Sequence, residues 1–173
     1  QKVLSEEIDS QYSEIIGQSE PMNKIFDTIR KVAATEANIL ILGENGTGKE
    51  LVARAIHRSS ARASQIFISV DLGSIPETLF ESELFGHVKG AFTDARENRT
   101  GRLKVASGGT LFLDEIGNLP VSMQAKLLSV IENRRVTPVG SNESQPIDIR
   151  LICATNMPIY DMVARKEFRE DLL

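Results

Sequence analysis

The chain has 173 residues, of which 41% are hydrophobic and 25% charged, with a net charge of −4. That is enough for one α/β domain with its own core, and the acidic balance gives no general attraction to nucleic-acid phosphate. The single Cys153 excludes an internal disulfide and fits a reducing cytoplasm, and no apolar run is long enough to span a membrane.

Residues 1–13 are polar and read as a lead-in or linker to a domain over residues 14–173. Gln1 is not an initiator and the chain stops at Leu173 without a turn or polar tail, so a fragment of a longer protein is expected. Met22, Ile25, Phe26, Ile29 and Val32 recur at helical spacing and predict a helix over 21–34, with Pro21 near its start. Residues 38–42 form a short apolar run that predicts a buried strand ending at Gly43. A helix over 48–59, a strand over 65–70 and a helix over 76–84 follow. Residues 110–113 predict a third strand, closed by Asp114 and Glu115. Residues 120–132 predict a long helix with Met123, Leu127, Leu128 and Ile131 inward. A strand over 135–139, a polar loop over 140–145, a strand over 147–153 and a weak helix from 163 complete the chain. Strands alternating with helices imply a mostly parallel sheet covered on both faces, with ligands at the strand carboxyl ends. Gly43, Asp71, Asp114 and Asn156 all fall at or just beyond such ends.

Gly43, Glu44, Asn45, Gly46, Thr47, Gly48, Lys49 and Glu50 follow a strand and open a helix, the context that a phosphate-binding loop requires. Glycines let backbone N–H groups turn onto phosphate oxygens, and the helix N-terminus adds partial positive charge. Lys49 is placed to reach the β- and γ-phosphates of ATP. Glu50 stands where such loops usually carry a Ser or Thr on Mg2+, so the metal falls mainly to phosphates, water and Asp114. Glu115 is placed to activate an attacking water.

Residues 83–95 read ELFGHVKGAFTDA. Gly86 and Gly90 bracket a polar segment, and Phe92 follows where neither helix nor strand is signalled. An aromatic on a Gly-flanked loop costs solubility unless something uses it. His57 and His87 have no ligand partners at metal spacing, so no zinc site is expected. His57 reads as a helix-surface or core residue, and Cys153 as strand core.

With these motifs, and with GGTLFLDEIGNLP, QAKLL, IRLICATN and FREDL, the chain resembles the AAA+ ATPase domain of bacterial sigma-54-dependent transcription activators from about Ile15 to Leu173. The resemblance implies a P-loop AAA+ three-layer αβα sandwich, stopping before the helical lid subdomain. It implies a ring, commonly a hexamer, with ATP between subunits. It implies that Gly90, Ala91, Phe92, Thr93, Asp94 and Ala95 contact the sigma-54 factor and remodel its RNA polymerase closed complex. Asp94 departs from the family's glycine, which narrows backbone freedom and adds a charge. Asp71 stands where the family has an Asn that restrains the catalytic Glu. Beside Glu115 it is expected to keep that role through a shared proton or a water, and the pairing of carboxylates to raise one pKa. Asn156 matches the residue that orients the γ-phosphate or water, and Arg169 matches one arginine finger acting on a neighbour's ATP. Ile16 and Gly17 resemble the segment near the adenine, and residues 140–145 a second loop that moves with the first.

DNA is expected to be held by a separate domain. An upstream receiver domain would make the whole a two-component regulator. Two other readings stay open. One is a different AAA+ remodelling motor, such as a helicase loader or chelatase-type machine. The other is a nucleotide- or sigma-binding fragment without turnover, since the second finger and the lid lie beyond Leu173.

Overall fold

The computed structural model describes residues 19–173. The expected lead-in over 1–13, and Ile16 and Gly17, lie outside the described residues. Along the chain run α1 (Glu20–Ala33), β1 (Ile39–Leu42), α2 (Lys49–Arg58), β2 (Phe67–Asp71), α3 (Phe80–Phe85), β3 (Gly86–His87), β4 (Arg99–Thr100), α4 (Arg102–Val105), β5 (Thr110–Asp114), α5 (Val121–Asn133), β6 (Arg135–Val136), β7 (Gln145–Pro146), β8 (Arg150–Thr155) and α6 (Ile159–Ala164).

The central sheet has the order β1, β8, β5, β2, and every neighbouring pair is parallel. Side chains alternate across it, as strand geometry dictates. Phe112, Ile152 and Ala154 face one layer with Ile29 and Ala33 of α1 and Ala53 and Ile56 of α2. Leu111, Leu113 and Leu151 face the other, with Phe80 and Leu84 of α3, Leu103 of α4, Leu127 and Val130 of α5 and Met162 of α6. This is the expected αβα sandwich. The fully buried β5 carries Asp114 out of the core to the sheet's carboxyl edge.

Several expectations are corrected. β1 is half-buried and Leu42 is exposed, because among the described strands β1 has a neighbour on one side only. The single helix over 76–84 divides into a 3-10 turn, Glu77–Leu79, and α3. On α5 the buried positions are Gln124, Leu127 and Val130, while Met123, Leu128 and Ile131 are half-buried. The strand over 135–139 shortens to β6, and the strand over 147–153 moves to β8. Ile147 N–H bonds Arg134 O at 3.0 Å before the sheet begins. The last helix starts at Ile159 and ends at Ala164, with Lys166 in a left-handed turn at φ 61°.

Arg150, at the start of β8, is only 1% exposed. It donates to Val32 O at 2.6 Å and Ala33 O at 3.2 Å, capping carbonyls at the end of α1, and to Ala37 O at 3.3 Å in the segment beyond it. Burial pulls its guanidinium pKa down. A helix end inside the fold needs such a partner. Arg150→Met, of similar length but without donors, is expected to cost about 3 kcal/mol in urea unfolding, since bonds from a charged donor are strong and orphaned carbonyls are costly. A loss below about 0.5 kcal/mol, the scale of an ordinary surface substitution, would contradict this.

Candidate functional site

Parallel register builds the site. Leu42 pairs with Thr155, and Asp71 with Asp114. Gly43 N–H donates to Thr155 O at 3.3 Å, so the phosphate-type loop starts beside the end of β8, one residue before Asn156. Gly46 and Gly48 adopt φ 77° and 79°, left-handed positions that glycine takes without strain. A Cβ on Gly43 would sit 3.0 Å from Thr47 Oγ1. Thr47 Oγ1 donates to Glu44 O at 2.7 Å and folds the loop onto itself. A side chain would crowd Thr47 at Gly43, whereas at Gly46 a Cβ would meet nothing within 4 Å and it is the left-handed backbone that favours glycine.

Lys49 opens α2 with 7% exposure. Its Nζ donates to Gly43 O at 2.9 Å and Glu44 O at 3.4 Å, and lies 3.6 Å from Glu115 Oε1. Glu115 stands at φ 58°, an unusual conformation for a residue with a Cβ, one step past the buried β5. Such strain concentrates at functional sites. Its N–H donates to Asp114 Oδ1 at 2.9 Å. A Cβ on Gly117 would meet Met157 Sδ at 2.6 Å and Thr155 Oγ1 at 3.1 Å, so the turn after Glu115 packs onto the segment carrying Asn156.

Asp71 Oδ1 accepts the Gly73 N–H at 2.9 Å. A Cβ on Gly73 would meet Asp71 Oδ1 at 3.1 Å and Glu115 Cγ at 3.6 Å, so both side chains border one glycine. The raised carboxyl is that of Asp114. Burial pushes it up most, and Glu115 and Asp71 add to this against the Glu115 N–H and Lys49. Glu50 carries its carboxylate along α2 to Arg54, with Nη2 at 2.9 Å and Nε at 3.1 Å.

Arg169 is placed elsewhere, paired with Asp171 at 2.8 Å and 2.5 Å. Sequence reading missed what holds it. Gln124, fully buried on α5, accepts the Arg169 N–H at 2.8 Å and donates to Leu119 O and Glu167 O. A polar residue on an inward helical position was the available signal.

Residues 88–98 form a loop on the two-residue β3–β4 ladder. Gly86, at φ 79°, is required there: a Cβ would lie 2.5 Å from Arg99 O and 2.7 Å from Gly101 N. Within the loop Gly90 N–H donates to Ala95 O at 2.8 Å and Ala95 N–H to Phe92 O at 3.0 Å. Phe92 is 43% exposed, while Ala95 is buried. Asp94 is not among the positive-φ residues, so its backbone does not need the glycine expected there. The segment over 140–145 adjoins this loop. Val88 N–H donates to Val139 O at 3.1 Å, and a Cβ on Gly140 would meet Ala91 at 2.7 Å. His57 is core, bonded to Thr110 Oγ1 at 2.9 Å and Gln65 O at 3.1 Å. Burial pushes the Cys153 thiol up to about 12. No helix among the described residues is long and apolar enough to cross a membrane.

The profile of the sigma-54 interaction domain matches residues 15–173. The chain is similar to the transcriptional regulatory protein GlrR of Escherichia coli (strain K12), 49% identical over 158 residues that cover 91% of this chain and 36% of that protein. Among solved structures it resembles NtrX of Brucella abortus in complex with ATP, with TM-score 0.86 and 38% identity over 99% of this chain and 39% of that one. It also shares the fold of the P-loop NTPase domain of a sigma-54 transport activator from E. coli, with TM-score 0.58 and 20% identity over 91% of this chain and 89% of that one. The chain spans about a third of the length of the first curated relatives it matches.

The raised Asp114 carboxyl has a consequence for stability. A carboxyl that holds its proton more tightly when folded destabilises the fold as pH rises from its ordinary value through the raised one. Asp114→Asn keeps an oxygen for the Glu115 N–H and removes that penalty. It is expected to raise the melting temperature at neutral pH, with the gain shrinking as pH falls toward 3.8. A gain that does not change with pH would contradict this.

Proposed function

We propose a function that starts from a plain fact: the chain belongs to the sigma-54 interaction domain family. It binds ATP at residues 43–49 and hydrolyses it within a ring of copies, commonly six. Residues 90–95 deliver the work to sigma-54 in an RNA polymerase closed complex. A separate domain holds DNA.

The chain's own groups divide the chemistry. Gly46 and Gly48 turn backbone N–H groups onto phosphate oxygens, and Lys49 balances the β- and γ-phosphate charge. Mg2+, when bound, would supply positive charge against the negative charge of the phosphates. Asp114 would be its protein ligand, because the Glu50 carboxylate is paired with Arg54. Glu115 takes a proton from the attacking water, and Asn156 orients that water. Asp71 restrains Glu115 across Gly73 through a bridging water. The observation that carries this reading is Glu115, held left-handed 3.6 Å from the loop lysine at the end of a buried strand.

Glu115→Gln keeps shape and loses the base. Hydrolysis by assembled chains is expected to fall roughly 100- to 10,000-fold, with ATP affinity retained. Phe92→Ala is expected to leave hydrolysis intact and to weaken capture of sigma-54, trapped with a transition-state nucleotide analogue, by about 2 kcal/mol per tip, roughly 30-fold. Undiminished hydrolysis in the first variant, or undiminished capture in the second, would sink the corresponding half.

The pairing of Arg169 with Asp171 favours a second reading of a lone chain, which holds nucleotide without turning it over. Arg169 then acts on a neighbour's ATP. Turnover per chain is expected to rise with concentration, and mixing Lys49→Ala with Arg169→Ala to restore activity that neither has alone. Concentration-independent turnover would reject action across subunits.

A further inference from the structure

His87 sits at the foot of the 88–98 loop and touches four parts of the chain. Its backbone pairs with Arg99 of β4 and bridges Val139. Its Nδ1 lies 2.5 Å from Ser82 Oγ, a buried hydroxyl on α3. Its ring meets Phe92 edge-on, with centroids 4.9 Å apart and planes at 67°. Edge-to-face rings attract beyond the area they cover, because the positive edge of one faces the negative face of the other. The Ser82 contact fixes the imidazole plane in that pair, and a buried hydroxyl left without it would be costly. Phe92 is therefore exposed on one side and held on the other.

We propose that His87 is a positioning residue that stows Phe92 against the loop foot, with Ser82 setting its plane, and that the partner-competent loop is the one in which this ring pair has opened. Ser82 is well placed to open it. α3 follows β2 through residues 72–79, and β2 ends at Asp71, which borders Glu115 across Gly73. A shift of α3 away from β3 withdraws Ser82 from the imidazole and leaves the ring free to turn. The proposal rests on the reading of Phe92 as the contact residue, and its first test involves no partner.

The chain contains no Trp, so Phe92→Trp installs a sole indole reporter. In that background, His87→Ala in the full chain is expected to raise the acrylamide quenching constant at least about 2-fold, the lower end of what a ring pair of this kind sustains. His87→Phe, which restores a ring but not the Ser82 bond, should return most of the shielding, and Ser82→Ala should give an intermediate rise. A residue that merely supports the fold would lower the melting temperature of each variant and leave quenching unchanged, and that result overturns the proposal. Should His87→Ala fail to fold, the Ser82→Ala reporter decides alone. With native Phe92, nucleotide-free His87→Ala is expected to capture sigma-54 better than the parent, and equal or weaker capture also overturns the proposal. Absence of capture by every protein, nucleotide-loaded parent included, would count against the partner reading, while the quenching result still decides the ring pair.

Discussion

Two opposite charges in a nearly dry corner set the terms for the rest of this structure. The Lys49 side chain is 6% exposed and that of Glu115 16%, with 3.6 Å between ammonium and carboxylate. Removing such groups from water costs several kcal/mol each, and attraction repays it only where other partners finish the job. Here the Gly43 and Glu44 carbonyls take the remaining ammonium protons. The left-handed backbone of Glu115 adds roughly 1–3 kcal/mol of strain. A fully buried β5, with Phe112 and Leu113 locked into opposite layers, keeps that conformation in place. Stability is given up at this edge in favour of a preorganised ammonium and carboxylate.

The same edge is mechanically close to the Phe92 loop. From Asp71 the chain passes Gly73, turns at Glu77–Leu79 and enters α3, whose end is the Gly86 stem. Gly86 and Gly140 admit no side chain, because backbone or Ala91 lies where a Cβ would go. The loop and the neighbouring segment after β6 are thus closely packed against each other. The chain path from beside Glu115 to the loop stem is short, and packed elements tend to switch between arrangements rather than bend.

Much of this was legible in the sequence, and the limits have physical causes. The apolar run before Gly43, the glycine spacing through Lys49 and the acidic end of β5 are local signals, and the strand, turn and strand end form there, although β1 is half-buried rather than buried. Phe92 was legible as an exposed aromatic because nothing around it had helical or strand periodicity. What the sequence could not show were contacts between distant residues: Arg150 capping α1 and Gln124 gripping the Arg169 backbone. Polar residues at buried positions look like surface residues to a pattern reader until the carbonyls they satisfy are known. Asp94 shows the opposite limit. The resemblance made it look like a conformational problem, yet its backbone does not need a glycine there.

The central claim is that the Lys49–Glu115 edge and the Phe92 loop work as one device. Amide hydrogen exchange with and without a non-hydrolysable ATP analogue and Mg2+ tests it most directly. The account predicts slower exchange over residues 43–49 together with a changed rate over residues 88–98, both abolished by Lys49→Met. Protection of the phosphate loop with no change over 88–98 would contradict it.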